Sequence, residues 1–179
     1  LLEAARRSPK IKRVVVASSD KAYGVHQKLP YTEEDALLGC HPYDVSKACA
    51  DLIARAYTVT YGLPVGVTRC ANLYGGGDLN WSRIVPGTMR SLIRGERPII
   101  RSDGTLVRDY LYVQDAVCAY LTLAEQLERP EVQGQGFNFG MDDPQSVSAI
   151  VQAMIAVSDH PEIEPIVQGN APNEIPEQY

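Results

Sequence analysis

The sequence lacks several features that would assign it to a class at once. No apolar run approaches 18 residues, so no transmembrane helix and no membrane partner are expected. Basic residues number 17 against 22 acidic ones, and the formal net charge of -5 disfavours a nucleic acid held by bulk electrostatics. We expect no signal peptide, and the sequence contains no internal repeat or low-complexity tract. These absences leave a globular protein of the cytoplasm as the expectation.

Cysteine is also scarce. Its four copies are widely spaced and include no CxxC pair: Cys40, Cys49, Cys70 and Cys118. That spacing argues against zinc and against a disulfide framework. We therefore expect no metal site. We expect the four cysteines to be small apolar residues of the core, in a protein of a reducing compartment.

The length and the composition are those of one ordinary domain. Hydrophobic residues make up 45% and charged residues 22%, which excludes wholesale disorder, collagen and coiled coil. The 179 residues are few for an enzyme that must hold both a dinucleotide and a large substrate. The segment Leu1–Arg7 reads as the last turns of a helix already under way, and residues 170–179 read as a Pro-rich loop. We therefore expect a fragment.

The apolar pattern predicts an α/β chain. The β-branched run at residues 14–18 and the run at residues 63–69 have the composition of parallel strands buried on both faces. Pro42 opens a helix over residues 43–61 between them, giving a β-helix-β unit. Further predicted elements are helices over residues 82–94, 113–127 and 147–156, the last capped by Ser146, and short strands near 98–101, 108–112 and 137–139.

Tyr43 and Lys47 are the first candidates for chemistry. They lie four residues apart at the start of the predicted helix, so both side chains leave one face. An ammonium beside a phenol favours the phenolate, which is a general base suited to a sugar hydroxyl. By itself the pair fits a solvated helix face equally well.

A second polar group follows the first predicted strand directly. The segment Ser18–Gly24 begins where a parallel sheet presents its ligands, at the carboxyl end of a strand. A hydroxyl from Ser19 would bond the oxygen that Tyr43 deprotonates, and Asp20 and Lys21 supply an acid and an amine. The alternative is that Ser19 and Asp20 merely cap a turn.

Four motifs in this order resemble one family. A Ser after a parallel strand, Tyr-x-x-x-Lys on the next helix, Arg69–Gly75 after the following strand and Arg108–Asp115 later are similar to the extended short-chain dehydrogenase/reductases that act on nucleotide sugars. The resemblance covers nearly the whole chain. It implies the C-terminal part of a Rossmann-type parallel sheet, with the catalytic helix, over residues 1–74. Residues 75–179 would form mainly a smaller α/β substrate-binding region, with some segments returning to the sheet.

The resemblance also implies roles for individual residues. Ser19, Asp20, Lys21, Tyr43 and Lys47 would be catalytic, and NAD would be the cofactor. Tyr43, Lys47, Ser18 and Cys70 would contact NAD, and Asn72, Arg83, Arg108 and Asn138 would contact the nucleotide sugar. The alternatives are a loop-capping role for Asn72 and an ion pair between Arg108 and Asp109. Trp81 would pack on a base or a sugar, or anchor the core.

The pair after Ser19 separates reaction types within the family. Asp20-Lys21 is similar to the CDP-glucose 4,6-dehydratases, as are Gly75–Asp78 and Arg83–Pro86, whereas epimerases usually carry small or neutral residues at the pair. A 4,6-dehydratase acting on CDP-glucose is therefore the main interpretation. An NDP-sugar 4-epimerase, or another sugar oxidoreductase of the family, is the first alternative.

The family's G-x-G-x-x-G fingerprint is absent from these 179 residues, since Gly75-Gly76-Gly77 does not have that form. A remnant that binds a nucleotide sugar without turning it over is therefore a second alternative. By resemblance we also expect a homodimer, through the Tyr43 helix and the Leu1–Arg7 tail. A possible contact face comprises Ala50, Ile53, Ala54 and Tyr57, although the same spacing fits core burial.

Overall fold

The structure is a computed structural model that describes residues 1–172 and 174–179. It divides into two compact units. The first unit comprises residues 1–71 and 114–140, and the second comprises residues 72–113 and 141–179. The predicted division into residues 1–74 and 75–179 concerns the domains of the family and stays a prediction.

The first unit is a three-stranded parallel sheet with helices. Its elements are α1 (Leu2–Arg7), β1 (Val14–Ala17), α2 (Pro42–Tyr61), β2 (Val65–Cys70), α4 (Val113–Gln126, whose first residue belongs to the second unit) and β7 (Gly136–Phe139). The strand order is β1-β2-β7, with Val14 opposite Val65 and Val67 opposite Gly136. A 3₁₀ turn at Asp20–Tyr23 follows β1.

The core of the first unit lies where α2 packs on the sheet. Ala54 of α2 is fully buried with Val65 and Val67 of β2, and Leu2 and Tyr57 pack against them. The strand β2 is buried throughout, as predicted, because β1 and β7 flank it. The prediction that β1 is buried on both faces is wrong: its residues are half-buried or exposed, because among the described residues only β2 pairs with it.

The second unit is built from short strands and two helices. Its elements are β3 (Asn72–Tyr74), α3 (Ile84–Ile93), β4 (Ile99–Ile100), β5 (Val107–Arg108), β6 (Tyr110–Tyr112), β8 (Gln145–Ser146), α5 (Val147–Ala156), β9 (Ile166–Val167) and β10 (Glu177–Gln178). A three-stranded sheet has the order β10-β5-β8, and the pairs β3-β6 and β4-β9 are parallel. Buried Leu92, Ile100, Val151 and Ile155 form the core of the unit.

Two sequence predictions in the second unit need correction. The single strand expected at residues 108–112 is two strands, because β5 pairs with β8 and β10 while β6 pairs with β3. The loop expected at residues 170–179 contains β10, which pairs with β5, and Asn173 of that loop lies outside the described residues. The predicted cap of α5 is confirmed, since the Ser146 hydroxyl accepts a bond from the Ala149 amide at 3.1 Å.

The remaining helices begin and end within two residues of their predicted bounds. Proline at the first position of α2 and left-handed Gly62 after its last residue account for the two ends of that helix. None of the described helices is both long and apolar enough to cross a membrane.

Candidate active site

The polar segment after β1 forms a capped turn. The Ser19 hydroxyl donates to Oδ1 of Asp20 at 2.8 Å and accepts from the Lys21 amide at 3.3 Å. Ser19 is therefore the N-cap of the 3₁₀ turn Asp20–Tyr23, as the alternative from sequence stated. Asp20 is buried and Lys21 is half-buried. The cap fixes the acid and the amine at the carboxyl end of β1, and their catalytic roles stay predictions.

The first turns of α2 bring the other two predicted catalytic side chains together. The Lys47 ammonium lies 5.8 Å from the centroid of the Tyr43 ring. Tyr43 is 53% exposed, so its phenol is open to a ligand. The predicted adjacency of Tyr43 and Lys47 on one helix face is confirmed.

The strand end and the helix are joined by two hydrogen bonds. The Lys47 ammonium donates to the carbonyl of Ala17 at 3.1 Å, and the Ser18 hydroxyl donates to the carbonyl of Lys47 at 3.2 Å. The 3₁₀ turn also packs against α2. The end of β1 is therefore held against the start of α2, and we call this region, with Ser19, Asp20, Lys21, Tyr43 and Lys47, the strand-end cluster.

A buried ion pair beneath this cluster was not predicted from the sequence. Nε and Nη2 of Arg69, on β2, donate to the two carboxylate oxygens of Asp51, on α2, at 2.7 and 3.1 Å. The Arg69 and Asp51 side chains are 1% and 0% exposed. Gly136 on β7 makes the space, because a Cβ there would come within 2.6 Å of the guanidinium carbon.

Tyr23 connects this ion pair to the 3₁₀ turn. Its hydroxyl accepts from Nη1 of Arg69 at 2.7 Å and donates to Oδ1 of Asn138 at 2.7 Å. Burial raises the pKa of Tyr23, although the Arg69 hydrogen bond opposes that shift. A neutral phenol fits both bonds, since it must accept one and donate the other. Helix α2, strand β2, strand β7 and the turn are thereby fixed through one network.

Two residues predicted to contact ligands have partners inside the first unit. The Asn138 amide group donates to the carbonyl of Tyr31 at 3.1 Å while its oxygen accepts from Tyr23. Cys70 is buried at the end of β2, and burial raises the pKa of its thiol. Both side chains contribute to the packing of the unit, and contact with a ligand stays a prediction for each.

The predicted phosphate-contacting residues lie in the second unit. Asn72 begins β3, and its amide nitrogen lies 3.5 Å from the carbonyl of Asp109. Arg83 donates to Oδ2 of Asp78 at 2.9 Å and to the carbonyl of Leu73 at 2.8 Å. Asn72 is half-buried, and the Arg83 side chain is 43% exposed.

Arg108 has an acidic partner, but not the neighbour suggested from sequence. Its Nη2 donates to Glu174 at 3.1 Å, and its Nη1 donates to the carbonyls of Val107 and Pro176. The alternative of an ion pair with Asp109 is therefore wrong. Asp109 is the residue between β5 and β6. It is buried, and its carboxylate accepts hydrogen bonds from the amides of Tyr110, Met141 and Asp142.

A cavity of about 380 Å³ lies beside α3 in the second unit. Trp81, Met89 and Ile93 contribute to its apolar wall. The guanidinium of Arg90 lies 5.4 Å from the Trp81 ring, and Trp81 is 43% exposed. Trp81 is therefore not a core anchor, and its ring is accessible to a flat ligand.

Comparisons with known proteins identify the family of the chain. Residues 1–140 match the NAD dependent epimerase/dehydratase family. The chain is 30% identical over 170 residues to CDP-glucose 4,6-dehydratase of Salmonella typhimurium, covering 88% of this chain and 47% of that protein. It is 34% identical over 161 residues to a trifunctional UDP-glucose 4,6-dehydratase of Arabidopsis thaliana, covering 85% of this chain and 22% of that protein. The chain thus spans less than half the length of these two relatives.

Solved structures include both reaction types. UDP-glucose 4-epimerase of Thermotoga maritima, with UDP-glucose, superimposes with a TM-score of 0.84 at 27% identity, covering 99% of this chain and 57% of that one. A dTDP-glucose 4,6-dehydratase of Bacillus anthracis, in complex with NAD, gives 0.79 at 29% identity, covering 99% and 55%.

Proposed function

The chain belongs to the NAD dependent epimerase/dehydratase family, and from that premise we propose that it carries the catalytic residues of a nucleotide-sugar 4,6-dehydratase. The observation that carries the proposal is the cluster at the end of β1 and the start of α2. There, Asp20 and Lys21 join the Tyr43 and Lys47 pair in one compact unit. Removal of water from the sugar needs an acid and a base in addition to the oxidation at C4, and Asp20 and Lys21 would supply these two groups.

In the first step, Tyr43 takes the proton from the C4 hydroxyl of the sugar. The Lys47 ammonium beside the ring favours the phenolate, and its bond to the carbonyl of Ala17 fixes it in place. Ser19 bonds the same sugar oxygen. Loss of this proton together with the C4 hydride leaves a ketone at C4.

In the second step, the ketone acidifies the proton on C5. Lys21 assists removal of that proton, and Asp20 protonates the C6 hydroxyl, which leaves as water. Return of the hydride to C6 and of a proton to C5 gives the 4-keto-6-deoxy sugar, and the balance is loss of one water.

NAD, held beside Tyr43 and Lys47, would supply an acceptor for the C4 hydride and the donor that reduces C6. The donor set at the strand end fits the nicotinamide riboside part, because the Lys47 ammonium and the Tyr43 phenol lie side by side at an accessible surface. Ser18 and Cys70 would line the same end of the sheet. The dinucleotide's pyrophosphate has no G-x-G-x-x-G cradle within these 179 residues.

The second unit supplies the residues for the nucleotide diphosphate. Asn72 and Arg83 donate hydrogen bonds to phosphate oxygens. The guanidinium of Arg108 binds a phosphate in place of the Glu174 carboxylate. The accessible Trp81 ring beside the cavity suits stacking against the base or the sugar. Asn138 would contribute near the sugar. We assign the base as cytosine on the subfamily resemblance and on the Salmonella relative.

An NDP-sugar 4-epimerase is the second candidate, and the likeness to the Thermotoga epimerase favours it. The two candidates share Tyr43, Lys47 and Ser19, and they differ in the use of Asp20. We also propose a homodimer through the exposed apolar side chains of α2, Leu52, Ile53 and Val59. Ala54 and Tyr57 of the predicted face are not available for it, because they pack in the core of the first unit.

Mass spectrometry of the products tests the function. The full-length protein is incubated with NAD and, separately, with CDP-glucose, UDP-glucose, GDP-mannose or dTDP-glucose. The proposal predicts a product lighter by one water, with CDP-glucose and with no net reduction of NAD. A product of unchanged mass with altered stereochemistry would identify an epimerase, and absence of turnover with every substrate would favour the non-catalytic alternative.

A further inference from the structure

The loop before α2 and the first turn of that helix bring three potential metal ligands together, although no zinc motif is present in the sequence. Sγ of Cys40 lies 3.5 Å from Nδ1 of His41, and that nitrogen lies 3.1 Å from Oδ2 of Asp44. All three ligand atoms lie within 4.8 Å of one another. None of the three residues has a part in the proposed reaction.

We propose that Cys40, His41 and Asp44 form a binding site for a divalent cation of the zinc class. Thiolate, imidazole and carboxylate are the three ligand types that zinc prefers, with bonds of about 2.0–2.3 Å. Two such ligands on a tetrahedral centre lie about 3.3–3.6 Å apart, by geometry from those bond lengths. Two of the three separations are already close to that spacing, and the third, from the exposed Cys40 to Asp44, is at most 4.8 Å.

The backbone around the site is fixed before any ion arrives. The amide of Leu38 bonds the carbonyl of Tyr23, and the amide of Gly39 bonds the carbonyl of Ala22 at 3.1 Å. Gly39 also lies directly against the helix, because a Cβ there would meet Cβ of Asp44 at 2.9 Å. The loop that carries Cys40 and His41 is therefore held against the first turn of α2, which carries Asp44.

Charge and access also fit a cation. A helix N-terminus repels positive charge, but a thiolate and the Asp44 carboxylate together neutralise a divalent ion. Asp44 is 4% exposed, whereas Cys40 is exposed and the His41 side chain is 41% exposed. The buried carboxylate anchors the ion, and the accessible thiol and imidazole give it an entry path. A fourth position remains for water.

Cobalt substitution tests the site directly. The reduced protein, freed of metal by a chelator, is titrated with Co²⁺ in the absence of air. The proposal predicts one equivalent bound per chain with a thiolate-to-cobalt charge-transfer band, and displacement of the band by Zn²⁺. Cys40→Ser should abolish the band, and His41→Gln should weaken binding by at least about tenfold, since even loss of an outer partner costs a metal site that much.

Cys40, Cys49 and Cys118 are exposed, so the expectation that all four cysteines are core residues is wrong, and the last two provide matched controls. Cys49→Ser and Cys118→Ser alter thiols outside the cluster and should leave the band and the stoichiometry unchanged. Circular dichroism of each variant establishes that it is folded, and His41→Gln tests the site independently of Cys40. Absence of a thiolate band in the unaltered protein would overturn the proposal. So would a band that persists in Cys40→Ser, or one that Cys118→Ser removes equally.

Discussion

The buried pair of Arg69 and Asp51 offers the sharpest prediction for stability. Both side chains are almost wholly removed from water, and the carboxylate accepts two hydrogen bonds from the guanidinium. Asp51→Asn keeps the shape of the side chain but leaves the Arg69 charge uncompensated. Breaking one partner of a buried ion pair costs about 3–5 kcal/mol. We therefore expect the free energy of unfolding to fall by that amount.

Urea unfolding followed by far-ultraviolet circular dichroism measures the effect. If the free energy of unfolding keeps its dependence on urea concentration while the midpoint falls, the substitution changed the stability and left the unfolded state as it was. The matched control is Glu131→Gln, which removes an exposed ion pair with Arg129 at the same closest distance of 2.7 Å. It should leave the midpoint nearly unchanged, because solvent already screens that pair.

A double variant separates the charge effect from the packing effect. Adding Arg69→Met to Asp51→Asn removes the uncompensated charge and should restore part of the lost stability. The reasoning is refuted if Asp51→Asn lowers the midpoint no more than Glu131→Gln does. It is also refuted if the double variant is less stable than the single one.

Two further predictions concern the space around Arg69 and the general base. Gly136→Ala should cost about 1–3 kcal/mol in urea unfolding, because the new methyl group displaces the guanidinium, whereas Gly76→Ala, in open space, should cost much less. Tyr43→Phe should lower turnover about 100- to 10,000-fold without unfolding the protein, since only an exposed hydroxyl is lost. Tyr61→Phe, equally exposed at the other end of α2, should keep turnover and serves as the control.

The sequence predicted the parts of the fold that depend on local signals. Helix α2 has proline at its first position and glycine after its last, so its bounds follow from chain chemistry. The cap at Ser146 is equally local. The family was also predicted, because four motifs in a fixed order are specific. The match of residues 1–140 to that family confirms the prediction.

Other features depend on residues far apart in the chain, and sequence patterns did not reveal them. The partner of Arg69 is 18 residues away on another element, and the burial of β1 depends on which strands flank it. Strands of two residues such as β9 and β10 have no periodicity of their own, so only pairing defines them. Cys40 and His41 are adjacent in the sequence, yet only the start of α2 brings Asp44 to them.

The most direct test of the proposed reaction follows one hydrogen atom. A nucleoside diphosphate glucose that carries deuterium at C4 is incubated with the full-length protein and NAD, and the product is analysed by NMR. The 4,6-dehydratase account predicts that deuterium appears at C6, because the hydride taken from C4 returns there. Deuterium that remains at C4 in a product retaining its C6 hydroxyl would contradict the account and identify an epimerase.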